Sequence, residues 1–171
     1  MPQRADAFDL GALGLTSGEG RRLELHVHVD PFDLGGARYA PEPALIPVRL
    51  DVSRTTHGGW ALRVRFEAEL QGPCMRCLEP ASPVFSVDSR EVAQPGGGEE
   101  LASPYITDGE LDLAGWARDA LALTLPSQLT CRPDCAGLCP QCGANLNEDP
   151  EHAHKPEPDP RWAKLSELKF D

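Results

Sequence analysis

The sequence lacks long apolar runs and is short of positive charge. Its 171 residues contain 16 Lys and Arg against 27 Asp and Glu, a formal net charge of −11. No apolar stretch approaches the ~18 residues that a transmembrane helix needs. The N-terminus has neither the basic nor the apolar region of a secretion signal. Because phosphate binding depends on clustered Lys and Arg, these deficits exclude a generic nucleic-acid coat protein. They predict a cytoplasmic protein of bacterial type.

Signature motifs of common enzyme classes are also missing. The chain has no nucleophile elbow, no phosphate-cradling Gly-rich loop and no H-E-x-x-H motif. His26 and His28 fall on the polar face of a predicted strand and His57 lies beside a turn signal, which favours solvated imidazoles. A catalytic zinc keeps an open coordination position, whereas Cys and His donors are in surplus here. We therefore expect a protein that is not an enzyme and has no small-molecule substrate.

Alternation of apolar and polar residues predicts four β-strands. They cover residues 23–29, 45–52, 60–70 and 84–92. The second and third should form an antiparallel hairpin, since one face of each is polar, and Pro47 favours a sheet edge. Residues 31–43 are predicted as a loop. The expected fold class is α+β, with a mainly antiparallel sheet or a partly open barrel.

One segment has the periodicity of an amphipathic helix. Its apolar stripe consists of Leu113, Trp116, Ala117, Ala120 and Leu121. Asp112 is a suitable N-cap and Pro126 a suitable stop, so a helix over 112–123 is predicted to pack on the sheet.

The chain is predicted to divide into two parts. The apolar strand faces and the helical stripe all precede residue 127, which indicates a β-rich domain over 1–126 and a C-terminal segment over 127–171. Asp159-Pro160 predicts the start of a short terminal helix that carries Trp162, Leu165 and Leu168.

Six cysteines in a chain without an export signal favour metal binding over disulfides. Cys139 and Cys142 form a C-x-x-C-G knuckle, in which Gly143 can take the positive φ of a tight turn. His152 and His154 follow, and in extended backbone they project to the same side. These four Cys and His residues are the predicted ligands of one ion in a C-terminal zinc-knuckle segment.

Four further cysteines, Cys74, Cys77, Cys131 and Cys135, would hold a second ion. Six Cys and two His supply eight donors, enough for two tetrahedral sites. Two alternatives stay open at this point. A C-x-x-C pair also fits two small buried residues or a redox pair, and a single ion could draw on Cys131 or Cys135 with only one histidine. The predicted cofactor is Zn²⁺, as one ion or two.

Four sequence blocks together resemble one known family. They are CMRCLEP at 74–80, LDLAGWARDALALTLP at 111–126, CAGLCPQCGANLN at 135–147 and DPRWAKLSEL at 159–168. Over about residues 20–171 the chain is similar to the YceD family, named for large ribosomal RNA subunit accumulation. The resemblance implies a role in synthesis, processing or stability of 23S ribosomal RNA, with no established catalytic activity. The family pattern has Cys-x-Cys where this chain has His152 and His154, an exchange that keeps zinc-binding donors.

Two kinds of partner are open. Contact with 23S rRNA or a pre-ribosomal large subunit would use basic side chains, for which the candidates are Arg63, Arg65, Arg76, Lys155, Arg161 and Lys164. Alternatively, the acidic region 79–119, with nine Asp and Glu against two Arg, would bind a basic large-subunit ribosomal protein and affect the rRNA indirectly. The net charge by itself favours the second interpretation.

Overall fold

A computed structural model describes residues 3–154. Within this range, the chain forms one α-helix, two short 3₁₀ turns (Gly11–Leu13 and Glu99–Leu101) and eleven strands. The strands are β1 (Gln3–Arg4), β2 (Ala7–Asp9), β3 (Gly20–His28), β4 (Phe32–Leu34), β5 (Ala37–Glu42), β6 (Leu45–Arg54), β7 (Trp60–Pro73), β8 (Pro80–Ala81), β9 (Val84–Ala93), β10 (Ile106–Thr107) and β11 (Glu110–Asp112), and the helix is α1 (Leu113–Thr124).

The main sheet is built around β7. Its strands follow the order β1-β3-β6-β7-β5-β4, and both β8 and β9 also pair with β7; β10, β11 and β2 form a separate small sheet. All pairs are antiparallel except that of β1 with β3. The predicted α+β class with a mainly antiparallel sheet is therefore confirmed. The described strands do not close into a barrel, because β1 pairs only with β3 and β4 only with β5.

The four strands predicted from alternation are all present, as β3, β6, β7 and β9. The predicted hairpin of β6 with β7 is confirmed by a register that runs from Arg49 opposite Arg65 to Arg54 opposite Trp60. The apolar residues of β6 and β7 point into one core, in which Leu50 and Val64 are both fully buried. Alternation thus identified the central strands and their inward faces.

Two expectations for this region were wrong. Pro47 does not mark an edge strand, because β6 lies between β3 and β7. Residues 45–48, however, pair only with β3. Pro47, which has no backbone N–H to donate, therefore has no partner on β7. Residues 31–43 are not a loop but hold β4 and β5, joined at Gly35-Gly36. β4 has only three residues, and the six of β5 (ARYAPE) include a single large apolar side chain, so alternation does not reveal either strand. Tyr39 anchors β5 by donating a hydrogen bond to the Pro73 carbonyl at 2.8 Å.

The predicted helix is confirmed as α1, one residue later than expected. Asp112 caps it, since its Oδ1 accepts a hydrogen bond from the Gly115 amide at 2.8 Å. All five residues of the predicted stripe are buried. Trp116 also donates from its indole Nε1 to Ser89 Oγ on β9 at 3.1 Å, which fixes α1 on the inner face of the sheet.

The chain continues to pack on the core after the helix. Leu129 is 1% exposed, and its carbonyl accepts a hydrogen bond from the Met75 amide at 2.8 Å. The division into 1–126 and 127–171 stays a prediction, and the expected terminal helix lies outside the described residues. Between residues 3 and 154, no helix has both the length and the apolar character needed to cross a membrane.

Candidate metal centres

The first C-x-x-C turn forms where β7 ends. The Leu78 amide donates to the Cys74 carbonyl at 2.9 Å, and the Cys74 amide donates to the Glu79 carbonyl at 2.7 Å. Leu78 takes a left-handed backbone conformation, with φ +65°, and its side chain is 66% exposed. The turn is tight enough to aim the sulfurs of Cys74 and Cys77 at one point.

Cys131 and Cys135 bring two more sulfurs to that point. Cys74 Sγ lies 3.8 Å from Cys135 Sγ, and Cys77 Sγ lies 3.7 Å from Cys131 Sγ. All four sulfurs are within 4.8 Å of one another. Ligands at ~2.3 Å from a tetrahedral zinc lie about 3.8 Å apart, so these spacings suit a four-thiolate ion site.

The electrostatics of these four cysteines also favour a bound cation. Burial opposes ionisation of Cys74, but three backbone amides donate to its sulfur and lower its pKa to about 6. Desolvation, followed by the three neighbouring thiols, raises the pKa of Cys131 to about 12. Four thiolates so close together repel one another. Metal ligation requires the deprotonated thiolates. The positive charge of a divalent cation between them would offset their mutual repulsion.

The second C-x-x-C turn repeats the backbone of the first. The Gly143 amide donates to the Cys139 carbonyl at 2.8 Å, and the Cys139 amide donates to the Ala144 carbonyl at 2.8 Å. Gly143 has φ +76°, as the C-x-x-C-G pattern predicted. The amides of Gln141 and Cys142 donate to Cys139 and lower its pKa to about 6, which favours a ligating thiolate.

His152 and His154 approach this second turn from one side. Their Nε2 atoms lie 3.2 and 3.3 Å from Cys142 Sγ and 2.9 Å from each other. The four ligand atoms of Cys139, Cys142 and the two histidines all lie within 4.8 Å. Asp149 Oδ2 lies 3.8 Å from the second ring nitrogen of His152, which is too far for a hydrogen bond. The donor set fits a Cys₂His₂ metal site.

Contacts of Leu138 and Asn147 join the two groups, and sequence reasoning missed them. Leu138 packs against the first cysteine cluster, and its amide donates to the Arg76 carbonyl at 3.1 Å. Asn147 accepts from the Ala136 amide at 2.9 Å and donates from Nδ2 to Cys135 Sγ at 3.5 Å. The only signal for Asn147 was its place in the block that resembles the family.

The predicted basic contacts occupy different settings. Arg63 pairs with Asp88 and Arg65 with Asp51, while Arg76 is exposed on the first turn. Lys155, Arg161 and Lys164 lie outside the described residues. His26 and His28, predicted to be solvated, are half-buried.

The outer face of the main sheet is basic at its centre. Two adjacent cross-strand rows contain five arginines and three carboxylates, although the chain is acidic as a whole. The rows are Arg22, Asp51, Arg63, Arg90 and Glu24, Arg49, Arg65, Asp88. Because α1 covers the opposite face, no described element covers these rows.

These features define an α+β protein with a central antiparallel sheet and two Cys/His groups, each of which could hold a metal ion. Comparison with known families identifies a specific match. The family model described as large ribosomal RNA subunit accumulation protein YceD matches residues 62–169. The chain belongs to the YceD family.

Relatives among known proteins support the assignment. Uncharacterised proteins of Mycobacterium bovis and Mycobacterium tuberculosis are each 36% identical over 167 residues, covering 94% of this chain and 79% of the relative. A maize protein is 41% identical over 49 residues, covering 29% of this chain and 17% of its own length. Its name is large ribosomal RNA subunit accumulation protein YCED homolog 1, chloroplastic. No solved structure matches the chain.

Proposed function

We propose that the protein is a non-enzymatic ribosome biogenesis factor of the cytoplasm, needed for synthesis, processing or stability of 23S rRNA. The family match carries this proposal, and the maize relative's name ties the family to the large-subunit RNA. The basic rows on the uncovered sheet face give the acidic chain a surface suited to RNA phosphates. The partner is then the pre-ribosomal large subunit or its RNA.

The metal proposed for both groups is Zn²⁺. Cys74, Cys77, Cys131 and Cys135 would hold one ion, and Cys139, Cys142, His152 and His154 the other. Each group supplies four protein ligands, which leaves no position for a reacting water and suits a structural site. Between 131 and 154 the only large apolar residues are Leu138 and Leu146, so ligation would replace the missing core.

A second candidate function rests on charge. The net charge of −11 and the acidic region 79–119 favour a zinc-stabilised module that binds a basic ribosomal protein. The effect on rRNA would then be indirect. The two candidates predict different partners for the same in vivo phenotype.

Gene disruption in the source organism tests the rRNA role. The 23S to 16S ratio should fall, and the wild-type gene should restore it. A ratio that does not change on disruption would contradict the proposal. Purification of the tagged protein separates the two candidates. RNA sequencing and mass spectrometry are carried out on the same eluate before and after ribonuclease treatment. Direct contact predicts that 23S fragments remain bound after ribosomal proteins are lost.

Elemental analysis tests the metal assignment. Protein purified without chelators or a metal-affinity column should contain close to two zinc ions per chain. Cys142→Ser and Cys131→Ser should each lose one ion, whereas Ser82→Ala, a nearby change outside both groups, should lose none. Less than about a tenth of a zinc per chain would refute both sites.

A further inference from the structure

The main sheet has an opening between β6 and β7. Strand β5 pairs with β7 up to Glu42 opposite Glu69, and β6 resumes the pairing at Arg49 opposite Arg65. Six residues, 43–48, lie between these two pairs on one side, whereas only three, 66–68, lie between them on β7. Residues 66–68 of β7 therefore pair with β9 alone, and residues 45–48 of β6 with β3 alone. This excursion leaves a groove of about 550 Å³ on the outer sheet face.

Two polar nitrogens at the groove are buried without a hydrogen-bond partner. They are His26 Nδ1 and Arg65 Nε, in the part of the chain that the structure describes. The Arg65 nitrogen always carries a hydrogen, so it needs an acceptor. The other end of this guanidinium is already held by Asp51, which aims the free N–H rather than leaving it to rotate. A buried donor without a partner is unfavourable, and an occupant of the groove that accepts a hydrogen bond would remove this penalty.

The lining decides the chemical class of that occupant. Its rim carries two cations, Arg49 and Arg65, and three carboxylates, Glu24, Glu67 and Asp88, so it does not select a bare anion. Five of its twelve residues are apolar, with Pro47, Val48 and Phe66 among them. A small site of this volume with an apolar lining and a few polar groups is typical of ligand pockets. It suits a flat, neutral group that both donates and accepts hydrogen bonds.

We propose that this groove binds one unpaired base of the RNA, with guanine preferred. This rests on the proposed rRNA function and names its point of direct contact. Guanine presents acceptors at O6 and N7 for arginine, and N–H donors for a carboxylate. His26 and Pro47 are direct cross-strand partners at the rim, and their rings offer a surface on which a splayed base can stack. Phosphates on either side of the base would lie near the arginine rows.

Binding of short single-stranded RNA to the full-length, zinc-loaded protein tests the proposal. The probes are ten-nucleotide RNAs that share a uridine background and carry G, A, C, U or an abasic residue at the centre. Affinity for the G probe should exceed that for the abasic probe about tenfold, because stacking and base-edge contacts are lost with the base. Measurements at moderate salt limit the contribution of phosphates.

Two variants and a matched control give the sharper result. Arg49→Gln and Glu67→Gln should each weaken binding of the G probe several-fold and reduce its preference over the abasic probe. Arg90→Gln removes the same charge from the same sheet face, outside the groove, and should leave that preference unchanged. The Glu67 variant is decisive because loss of a carboxylate strengthens binding to phosphate alone, so weaker binding indicates a base. Neither residue is part of the hydrophobic core, and melting curves verify folding.

Three results would overturn the base site. They are equal affinity for the G and abasic probes, tighter binding by Glu67→Gln, and an equal effect of Arg49→Gln and Arg90→Gln on the preference for the G probe over the abasic probe. Absence of RNA binding with capture of a basic ribosomal protein would overturn it in favour of a protein partner. Each of these outcomes leaves the rRNA role intact if the 23S to 16S ratio still falls on gene disruption, so the two proposals fail separately.

Discussion

Leu78 and Gly143 occupy the same position in two C-x-x-C turns that share one hydrogen-bond pattern. Each amide donates to the carbonyl of the first cysteine in its turn, at 2.9 and 2.8 Å, and each backbone is left-handed, with φ +65° and +76°. Glycine adopts this conformation at no steric cost, whereas an L side chain pays about 1–2 kcal/mol. The first turn therefore keeps a strained, exposed leucine where the second has the residue that the backbone prefers.

We expect Leu78→Gly to be neutral or to stabilise the protein by up to about 1 kcal/mol. Relief of the left-handed strain outweighs the lost contacts of a largely exposed side chain, while glycine's flexibility in the unfolded state offsets part of the gain. The reverse exchange, Gly143→Ala, should cost about 1–2 kcal/mol and weaken the second metal site. Thermal and denaturant unfolding with metal present measures both. Destabilisation by Leu78→Gly of more than about 1 kcal/mol would show that the leucine side chain holds the fold together.

The fragment 1–126 should fold by itself with a lower melting temperature than the full chain. It retains the main sheet and α1 but loses Leu129 from the core and half the ligands of the first metal group. Leu129→Ala in the full chain provides the comparison, with an expected cost of about 2–4 kcal/mol. Circular dichroism and a hydrophobic dye report the outcome. A fragment without a cooperative transition that binds the dye strongly would contradict the predicted domain boundary.

Loss of the first metal group should destabilise the sheet more than loss of the second. Cys74 and Cys77 extend from the end of β7, the strand at the centre of the sheet, whereas Cys142 and His152 belong to the segment beyond it. Cys77→Ser should therefore lower the melting temperature of the whole protein by several degrees, while Cys142→Ser should mainly expose residues 139–154 to proteolysis. Mass spectrometry of limited digests and melting curves distinguish the two. Equal thermal effects would contradict the ranking.

Acid should weaken the outer sheet face through Asp51. A hydrogen bond from Arg22 Nε at 2.6 Å, and then one from Arg65, hold the pKa of Asp51 below its ordinary value of 3.8. Because the folded-state pKa is the lower one, this stabilisation is complete above pH 3.8 and is lost as pH falls through the folded-state pKa. Asp51→Asn should remove about 0.5–1 kcal/mol at neutral pH and flatten the fall in stability below pH ~4.

Urea unfolding of metal-free wild type and variant across pH 2–7 measures the difference without interference from metal release. Glu110 is an exposed strand residue with no ion pair in residues 3–154. Glu110→Gln is therefore the matched control and should leave the slope of unfolding free energy against pH unchanged. Parallel slopes for wild type and Asp51→Asn would show that the ion pair contributes nothing measurable.

Regular patterns were predictable from the sequence, and departures from them were not. Leu50 and Val64 alternate with polar residues in long strands, and Trp116 recurs with the helical period, so local arguments found their elements. β4 and β5 are three and six residues long and are positioned by Tyr39 reaching Pro73, a contact between residues distant in sequence. The groove near Arg65 forms because more residues lie between the last β5–β7 pair and the first β6–β7 pair than lie opposite them on β7. The pattern of a single strand does not encode that difference.

The candidate metal groups were similarly accessible in part. Ligand types and C-x-x-C spacing indicated which residues could share an ion, since two sulfurs separated by two residues meet on one side of a turn. Asn147 contacts the first group through its side-chain hydrogen bonds, and Asp149 lies beside His152, and residue type and spacing give no independent signal for either. Their contribution is visible only in the assembled segment.

The first metal group also fixes an order of events during synthesis. Its sulfurs come from positions 54 and 61 residues apart along the chain, so Cys74 and Cys77 leave the ribosome well before Cys131 and Cys135. During that interval β9 and α1 emerge and can dock, while the early thiols form only half of a coordination sphere. The later cysteines then close a loop around both elements. An ion could bind all four ligands only after β9 and α1 have been synthesised, so its binding would hold that part of the fold together once it is complete.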